Sequence, residues 1–173
     1  MKTILHEGKF LRLINNDGWE YVERTNCSDI VVIFNITKDN KVIFVEQFRP
    51  PVGANVIEFP AGLVGDKGTE TIATAVMREL FEETGYKADK IIKLFSGPNS
   101  SGSSANLLTF VLTPNIVKVG EALGDGHEKI IVHEVDYDNI SNWIKETQET
   151  GKLISPRIYI GLYFLNKYRN GEL

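Results

Sequence analysis

Polar and apolar positions alternate through residues 9–24, on both sides of Asn15-Asn16-Asp17-Gly18. Alternation at period two buries one face of a strand, and Asp-Gly between two such runs supplies the residues of a tight turn, so the pattern predicts an N-terminal β-hairpin. Residues 29–36 and 41–48, joined by Thr37-Lys38-Asp39-Asn40, are rich in Val, Ile and Phe, as buried strands are. Residues 56–59 predict a further strand. Residues 90–95 and 107–112 predict two more around the small-residue loop of residues 96–105, and residues 129–135 predict another that ends in acids. A helical period appears in residues 138–147, with Ile140, Trp143 and Ile144 inward, and again after Ser155-Pro156, where Ile158, Ile160, Leu162, Phe164 and Leu165 recur. The order of elements predicts an α/β (α+β) fold, a mixed sheet with helices on both sides. No repeat or linker divides the chain, so residues 1–173 read as one domain, residues 1–28 forming an N-terminal β ribbon and residues 29–173 the core.

The richest stretch runs from Glu58 to Tyr86. Pro60, Gly62, Gly65 and Gly68 predict a loop leaving a strand, and a helix then begins near Thr69 or Glu70. Thr69 is the expected N-cap, Glu70 falls in the first turn where the helix dipole favours a negative charge, and Gly85 stands where a left-handed C-cap belongs. At about 100° per residue, Ile72, Val76 and Leu80 form one row with Ala73 beside it, a stripe that faces the core. The same construction brings Glu79, Glu82 and Glu83 together at the edge of that stripe. Such carboxylates raise one another's pKa unless a cation sits between them, and hard oxygen donors suit Mg²⁺ or Mn²⁺ better than Zn²⁺. Arg78 offsets part of the charge and is expected to pair with Glu70.

Composition narrows the field. A chain of 173 residues with a formal net charge of −4 is long enough for a core, and it is not the electrostatic partner of bulk nucleic acid. A phosphate-bearing substrate would have to be held by local Arg, Lys and a metal. The single Cys27 cannot form an internal disulfide, and neither a basic-then-apolar leader nor a membrane-length apolar run is present, so a cytoplasmic protein without membrane partner is expected. Cys27 reads as a passive small residue rather than a nucleophile.

Glu70, seven intervening residues, then Arg78-Glu79-Leu80-x-Glu82-Glu83-x-Gly85-Tyr86 resembles the Nudix box. The family's opening glycine stands six residues before the first Glu, where this chain has Val64; Gly62 fits that role if the loop is two residues longer. Val45-Glu46-Gln47-Phe48-Arg49-Pro50-Pro51 and Ile57-Glu58-Phe59-Pro60-Ala61-Gly62 are similar to the branch that cleaves ADP-ribose and related nucleoside diphosphate sugars. The resemblance implies a Nudix-type α/β/α sandwich. It implies that Glu79, Glu82, Glu83 and the Ala61 carbonyl hold Mg²⁺, with Mn²⁺ able to substitute, and that Arg78 and Glu82 belong to the catalytic machinery. A catalytic water needs a base within hydrogen-bond reach, and Glu128 matches the late loop acid that the branch recruits as base or extra metal ligand; His127 is its nearest rival. Glu134 and Asp136 read as solvated strand-end charges.

Trp19-Glu20-x-Val22-x-Arg24 resembles the branch's N-terminal ribbon, whose aromatics sandwich the adenine, so Trp19 first, then Phe10, with Arg24, are assigned to the base. Arg49 and Glu58 are assigned to the substrate, since a guanidinium at a strand end can grip phosphate or ribose oxygens in pairs. Asn106 stands where relatives often place an acid. The resemblance further implies a homodimer with exchanged ribbons and composite sites. The activity it implies is metal-assisted hydrolysis of ADP-ribose to AMP and ribose 5-phosphate, or of a related nucleoside diphosphate sugar. The alternatives are a Nudix pyrophosphatase for a dinucleoside polyphosphate or modified nucleoside triphosphate, and a non-catalytic nucleotide-sensing module. The intact acids argue against the last.

Overall fold

A computed structural model of the chain describes residues 1–124 and 129–173. The alternating stretch forms the predicted hairpin, β2 (Leu11–Asn16) and β3 (Trp19–Arg24), and Asp17 and Gly18 turn it with φ of 53° and 89°. Sequence reasoning missed β1 (Lys2–Glu7), which pairs antiparallel with β2 and completes a three-stranded ribbon. All six of its residues are exposed, so no buried face imposes a period on its sequence.

The remaining strands make two mixed sheets where the sequence predicted one. In the first, β7 (Ala61–Val64), β4 (Asp29–Thr37), β10 (Leu107–Lys118) and β8 (Tyr86–Lys87) lie in that order, and β9 (Ile92–Pro98) pairs with β10. In the second the order is β11 (Ile130–Asp136), β5 (Lys41–Arg49), β6 (Ala54–Glu58) and β12 (Leu153–Ile154). Among the described strand pairs, β4 with β10 and β6 with β12 run parallel. The β4–β5 turn, with Asn40 at φ 60°, carries the chain from one sheet to the other.

Successive residues of β4 feed opposite cores. Val31 and Ile33 pack with Val76 and Leu80 of α1 (Ile72–Thr84), while Val32, Phe34 and Ile36 face α2 (Ile140–Glu149) and α3 (Arg157–Arg169). The helices therefore cover both sides of β4. Phe59 is the hub of the larger core, with ring centroids 5.0 Å from Phe34 and 4.9 Å from Phe44, and Trp143 of α2 stacks on Phe44 at 5.3 Å. Each such buried ring contributes about 2 kcal/mol or more through loss of water contact. Gly161 of α3 lies against this hub, where a Cβ would come within 2.2 Å of the Phe59 ring, and Ile160 is left exposed. Among the described residues no helix is long and apolar enough to cross a membrane.

Helix α1 starts later than the sequence reading has it. Thr71 is the N-cap, its hydroxyl accepting from the Thr74 amide at 3.1 Å, so Thr69 and Glu70 both precede the helix. Ala75 takes the buried place expected of Ala73, which is exposed. Gly85 closes the helix as predicted, at φ 76°. The Pro/Gly segment is also more regular than a loop: residues 61–64 form β7 and pair with β4 from Val32↔Ala61 to Asp29↔Val64, leaving only residues 65–70 as the connection.

Candidate active site

Arg78 organises the approach to α1. Its Nη2 and Nε grip the two oxygens of Glu70 at 2.6 and 3.2 Å, and Nη2 also donates to the Leu63 carbonyl at 3.0 Å. Its Nη1 donates to Glu79 at 2.7 Å and Glu82 at 3.2 Å. Glu70 in turn accepts from the Gly65 amide at 3.0 Å, so one guanidinium ties the turn after β7 to the first two acids of the helix. The pairing predicted for Arg78 and Glu70 is present. Its hydrogen bonds hold the Glu70 carboxyl below the ordinary carboxylate range, and Glu70 raises the proton affinity of Arg78.

The acids are unequally neutralised. Glu79 is buried, and burial pushes its carboxyl up even though Arg78 pulls it down. Glu83 is pushed up to about 8, first by burial and then by the charge of Glu79, while the Ala61 amide donating to it at 3.1 Å only partly compensates. Glu82 is the best supplied: besides Arg78 it holds Lys67, whose Nζ lies 3.0 and 2.9 Å from its two oxygens. Gly62 sits directly under Glu79, and a Cβ there would stand 1.9 Å from the carboxyl carbon. The carboxyl of Glu79 thus fills the space that a side chain at position 62 would occupy.

Among the described residues no group of three or more His, Cys, Asp and Glu side chains is gathered into a ready metal cage. The donor set still fits a hard divalent cation. Glu79 and Glu83 are all-oxygen donors whose carboxyls burial pushes up, that of Glu83 further by the charge of Glu79, even with Arg78 bonded to Glu79.

A cleft of roughly 1160 Å³ gathers most of the predicted site: Ala61, Arg78, Glu79, Glu82 and Glu83 line it together with Phe10, Arg24, Arg49 and Glu58. Arg49 and Glu58 are bonded to each other, Nε to Oε2 at 2.7 Å. Phe10 is exposed in the β1–β2 connection rather than on a strand. Trp19 is not in this cleft. Its indole donates to the Gly102 carbonyl at 2.9 Å beside a smaller pocket formed with Tyr21 and residues 101–105, and it remains 63% exposed. Glu128 and His127 lie outside the described residues. Glu134 is better anchored than a solvated charge: Tyr86 and Lys118 hold its carboxyl below the usual range, with Lys41 3.8 Å away. Cys27 is free and half-buried, and burial raises its thiol pKa, which fits a passive role. The cleft also contains two cations that sequence reasoning passed over, Lys67 in the lengthened turn and Arg157 at the start of α3.

The NUDIX domain model matches residues 28–154. The chain belongs to the NUDIX family. Among its relatives is a methanol dehydrogenase activator of Bacillus methanolicus, 34% identical over 117 residues that cover 67% of this chain and 62% of that protein. An ADP-ribose pyrophosphatase of Bacillus subtilis is 37% identical over 86 residues, covering 50% and 45%, and an ADP-sugar pyrophosphatase of Mus musculus is 42% identical over 79 residues, covering 41% and 35%. This NUDIX chain thus spans between 35% and 62% of the length of those three relatives. The crystal structure of an ADP compounds hydrolase superposes with a TM-score of 0.73 over 99% of this chain and 93% of that one; at 16% identity the likeness is one of fold.

Proposed function

We propose that this NUDIX protein is a metal-dependent pyrophosphatase that cleaves the diphosphate of ADP-ribose or a related nucleoside diphosphate sugar, releasing a nucleoside monophosphate and a sugar phosphate. The observation that carries this reading is one cleft lined both by the carboxylates Glu79, Glu82 and Glu83 and by the Arg49–Glu58 pair. In it Glu79, Glu82, Glu83 and the Ala61 carbonyl are the residues that would hold Mg²⁺, or Mn²⁺ in its place. The ion supplies neutralisation of charge on the phosphoryl oxygens and polarisation of a water.

The chain's own residues do the rest. Arg78 fixes the carboxylates of Glu79 and Glu82 through its two Nη1 bonds, and Gly62 leaves the room that Glu79 occupies. Arg49 orients the phosphates, Glu128 takes the proton of the attacking water, and Phe10 and Arg24 hold the nucleoside. We assign Trp19 to the base in the site of a second subunit of a homodimer with exchanged ribbons, in which the bonds of the ribbon to residues 102–106 pass between subunits; the exposed face of its ring, 63% accessible, is open to stacking on a base. The reading also carries a cytoplasmic place of action.

A panel of ADP-ribose, ADP-glucose, GDP-mannose, UDP-glucose and nucleoside triphosphates with Mg²⁺ tests the proposal, with products resolved by chromatography. Native protein should release AMP and ribose 5-phosphate from ADP-ribose, and Glu83→Gln and Glu128→Gln should be nearly inactive. Turnover of triphosphates alone would replace the sugar-nucleotide reading by the polyphosphate one. A second reading, a nucleotide-sensing regulator, draws on the name of the Bacillus methanolicus relative. Binding of the same nucleotides with no turnover of any of them would favour it.

A further inference from the structure

We propose that Arg157 is a substrate-binding residue that grips the second phosphoryl group of the diphosphate, the one that ADP carries and AMP lacks, forming an anion subsite with Arg49 and Glu58. The assignment rests on the pyrophosphatase reading and adds a residue to it. Arg157 is the first residue of α3, after Pro156, and no acidic residue stands in that first turn. A cation there faces the positive end of the helix dipole, whereas Lys167 and Arg169 at the other end of α3 are placed as the dipole favours. The local sequence thus puts a guanidinium where the helix alone disfavours it.

Packing adds to the imbalance. Arg157 lines the cleft with its side chain 29% exposed, and its Nη1 is 4.0 Å from Glu58 Oε1, at the outer limit of an ion pair. The other oxygen of Glu58 is already held by Arg49 at 2.7 Å, so two guanidiniums share one carboxylate. Burial lowers the proton affinity of Arg157; Glu58 opposes this and the nearby charge of Arg49 adds to it. Three unfavourable terms therefore meet at one side chain: the helix end, the neighbouring arginine and partial desolvation. An anion between Arg49 and Arg157 relieves all three.

The chemistry of that anion follows from the neighbours. Arg49 and Arg157 line the same cleft as Glu79, Glu82 and Glu83, and of the two it is Arg49 whose charge bears on Glu83. Arg157 Nη2 also donates to Asn99 Oδ1 at 2.8 Å, which joins it to the loop of residues 99–106. A diphosphate with one phosphoryl group near Glu83 presents its second one to Arg49 and Arg157. Charge-assisted, two-pronged bonds to phosphate are the interaction a guanidinium makes best.

The competing role is structural, with Arg157 only pinning the loop through Asn99. Calorimetric affinities of adenosine, AMP, ADP and ADP-ribose separate the two, measured with chelator present on native protein, Arg157→Gln and Arg157→Lys. ADP adds to AMP the phosphoryl group in question. Arg157→Gln should weaken ADP and ADP-ribose roughly tenfold or more while leaving adenosine and AMP nearly unchanged, and Arg157→Lys should recover part of the loss. In the Mg²⁺ assay the loss should appear in KM more than in kcat. Equal losses for all four ligands, unchanged ADP affinity, or native protein that binds ADP no better than AMP would overturn the assignment. Native protein that turns over no nucleotide, with the ADP effect intact, would remove the pyrophosphatase reading and leave the subsite standing.

Discussion

Replacing Gly62 by Ala isolates the geometry of the carboxylates from their chemistry. The new Cβ would lie 1.9 Å from Glu79 Cδ, 2.1 Å from Oε1 and 2.5 Å from Cγ. To reach ordinary contact the carboxyl must retreat by about 1.5 Å, since carbon atoms attract best at roughly 3.5–4.0 Å. All three clashing atoms belong to the outer part of a side chain with its own torsions, so the backbone of β7 and α1 can stay where it is. The retreat does break the bond of 2.7 Å from Arg78 to Glu79 Oε1. Losing that contact, while a strand glycine becomes alanine, should lower stability by only about 1–2 kcal/mol. A carboxylate displaced by more than 1 Å at the reacting centre should lower kcat by roughly a hundredfold. Urea denaturation and ADP-ribose turnover with Mg²⁺, measured on the same preparation, read the two effects. Full activity in Gly62→Ala would refute the reasoning, because Glu79 would then work equally well from another place; complete unfolding would show that the clash falls on the backbone.

The metal-free protein should become less stable as pH rises from about 4.5 to 8, by about 4 kcal/mol, compared with Glu83→Gln. Glu83 binds its proton more tightly when folded, at about 8 against an ordinary 4.5, so its contribution is complete below 4.5 and is lost as the pH passes 8. Denaturation curves in chelator across that range test this, and parallel curves for the two proteins would contradict it. Thr71→Ala should cost about 1 kcal/mol through loss of the cap, while Thr69→Ala should be close to neutral; equal effects in thermal melts would return the start of α1 to the earlier position.

The parts of the site that were legible in the sequence are those governed by spacing along a single helix. Arg78, Glu79, Glu82, Glu83 and the terminating Gly85 are related by the turn of α1, and their convergence follows from a helical wheel. Thr69 and Thr71 flank Glu70 and both can cap, so their choice depends on how residues 65–70 leave β7, which no periodicity records. Strands β8 and β12 are two residues each, too short to carry a period. Arg157 meets Glu58 from 99 positions away, and Lys67 reaches Glu82 from a turn whose path the alternation does not describe. The sequence did carry one unused signal, a cation at the opening of α3.

The docking of the ribbon on the loop beside the cleft has a consequence for how such a protein can change. Val22 exchanges backbone bonds with Ser103 and Ala105, the Trp19 indole bonds Gly102, and the Arg24 amide bonds Asn106. One wall of the cleft is thus fastened by the first two dozen residues, while the carboxylates stand on α1 and share none of these bonds. Substitutions in the ribbon can shift that wall while the carboxylates keep their positions. On the proposed function, selectivity and bond cleavage would then be separately mutable: drift in the N-terminal strands would change the preferred ligand without passing through an inactive protein.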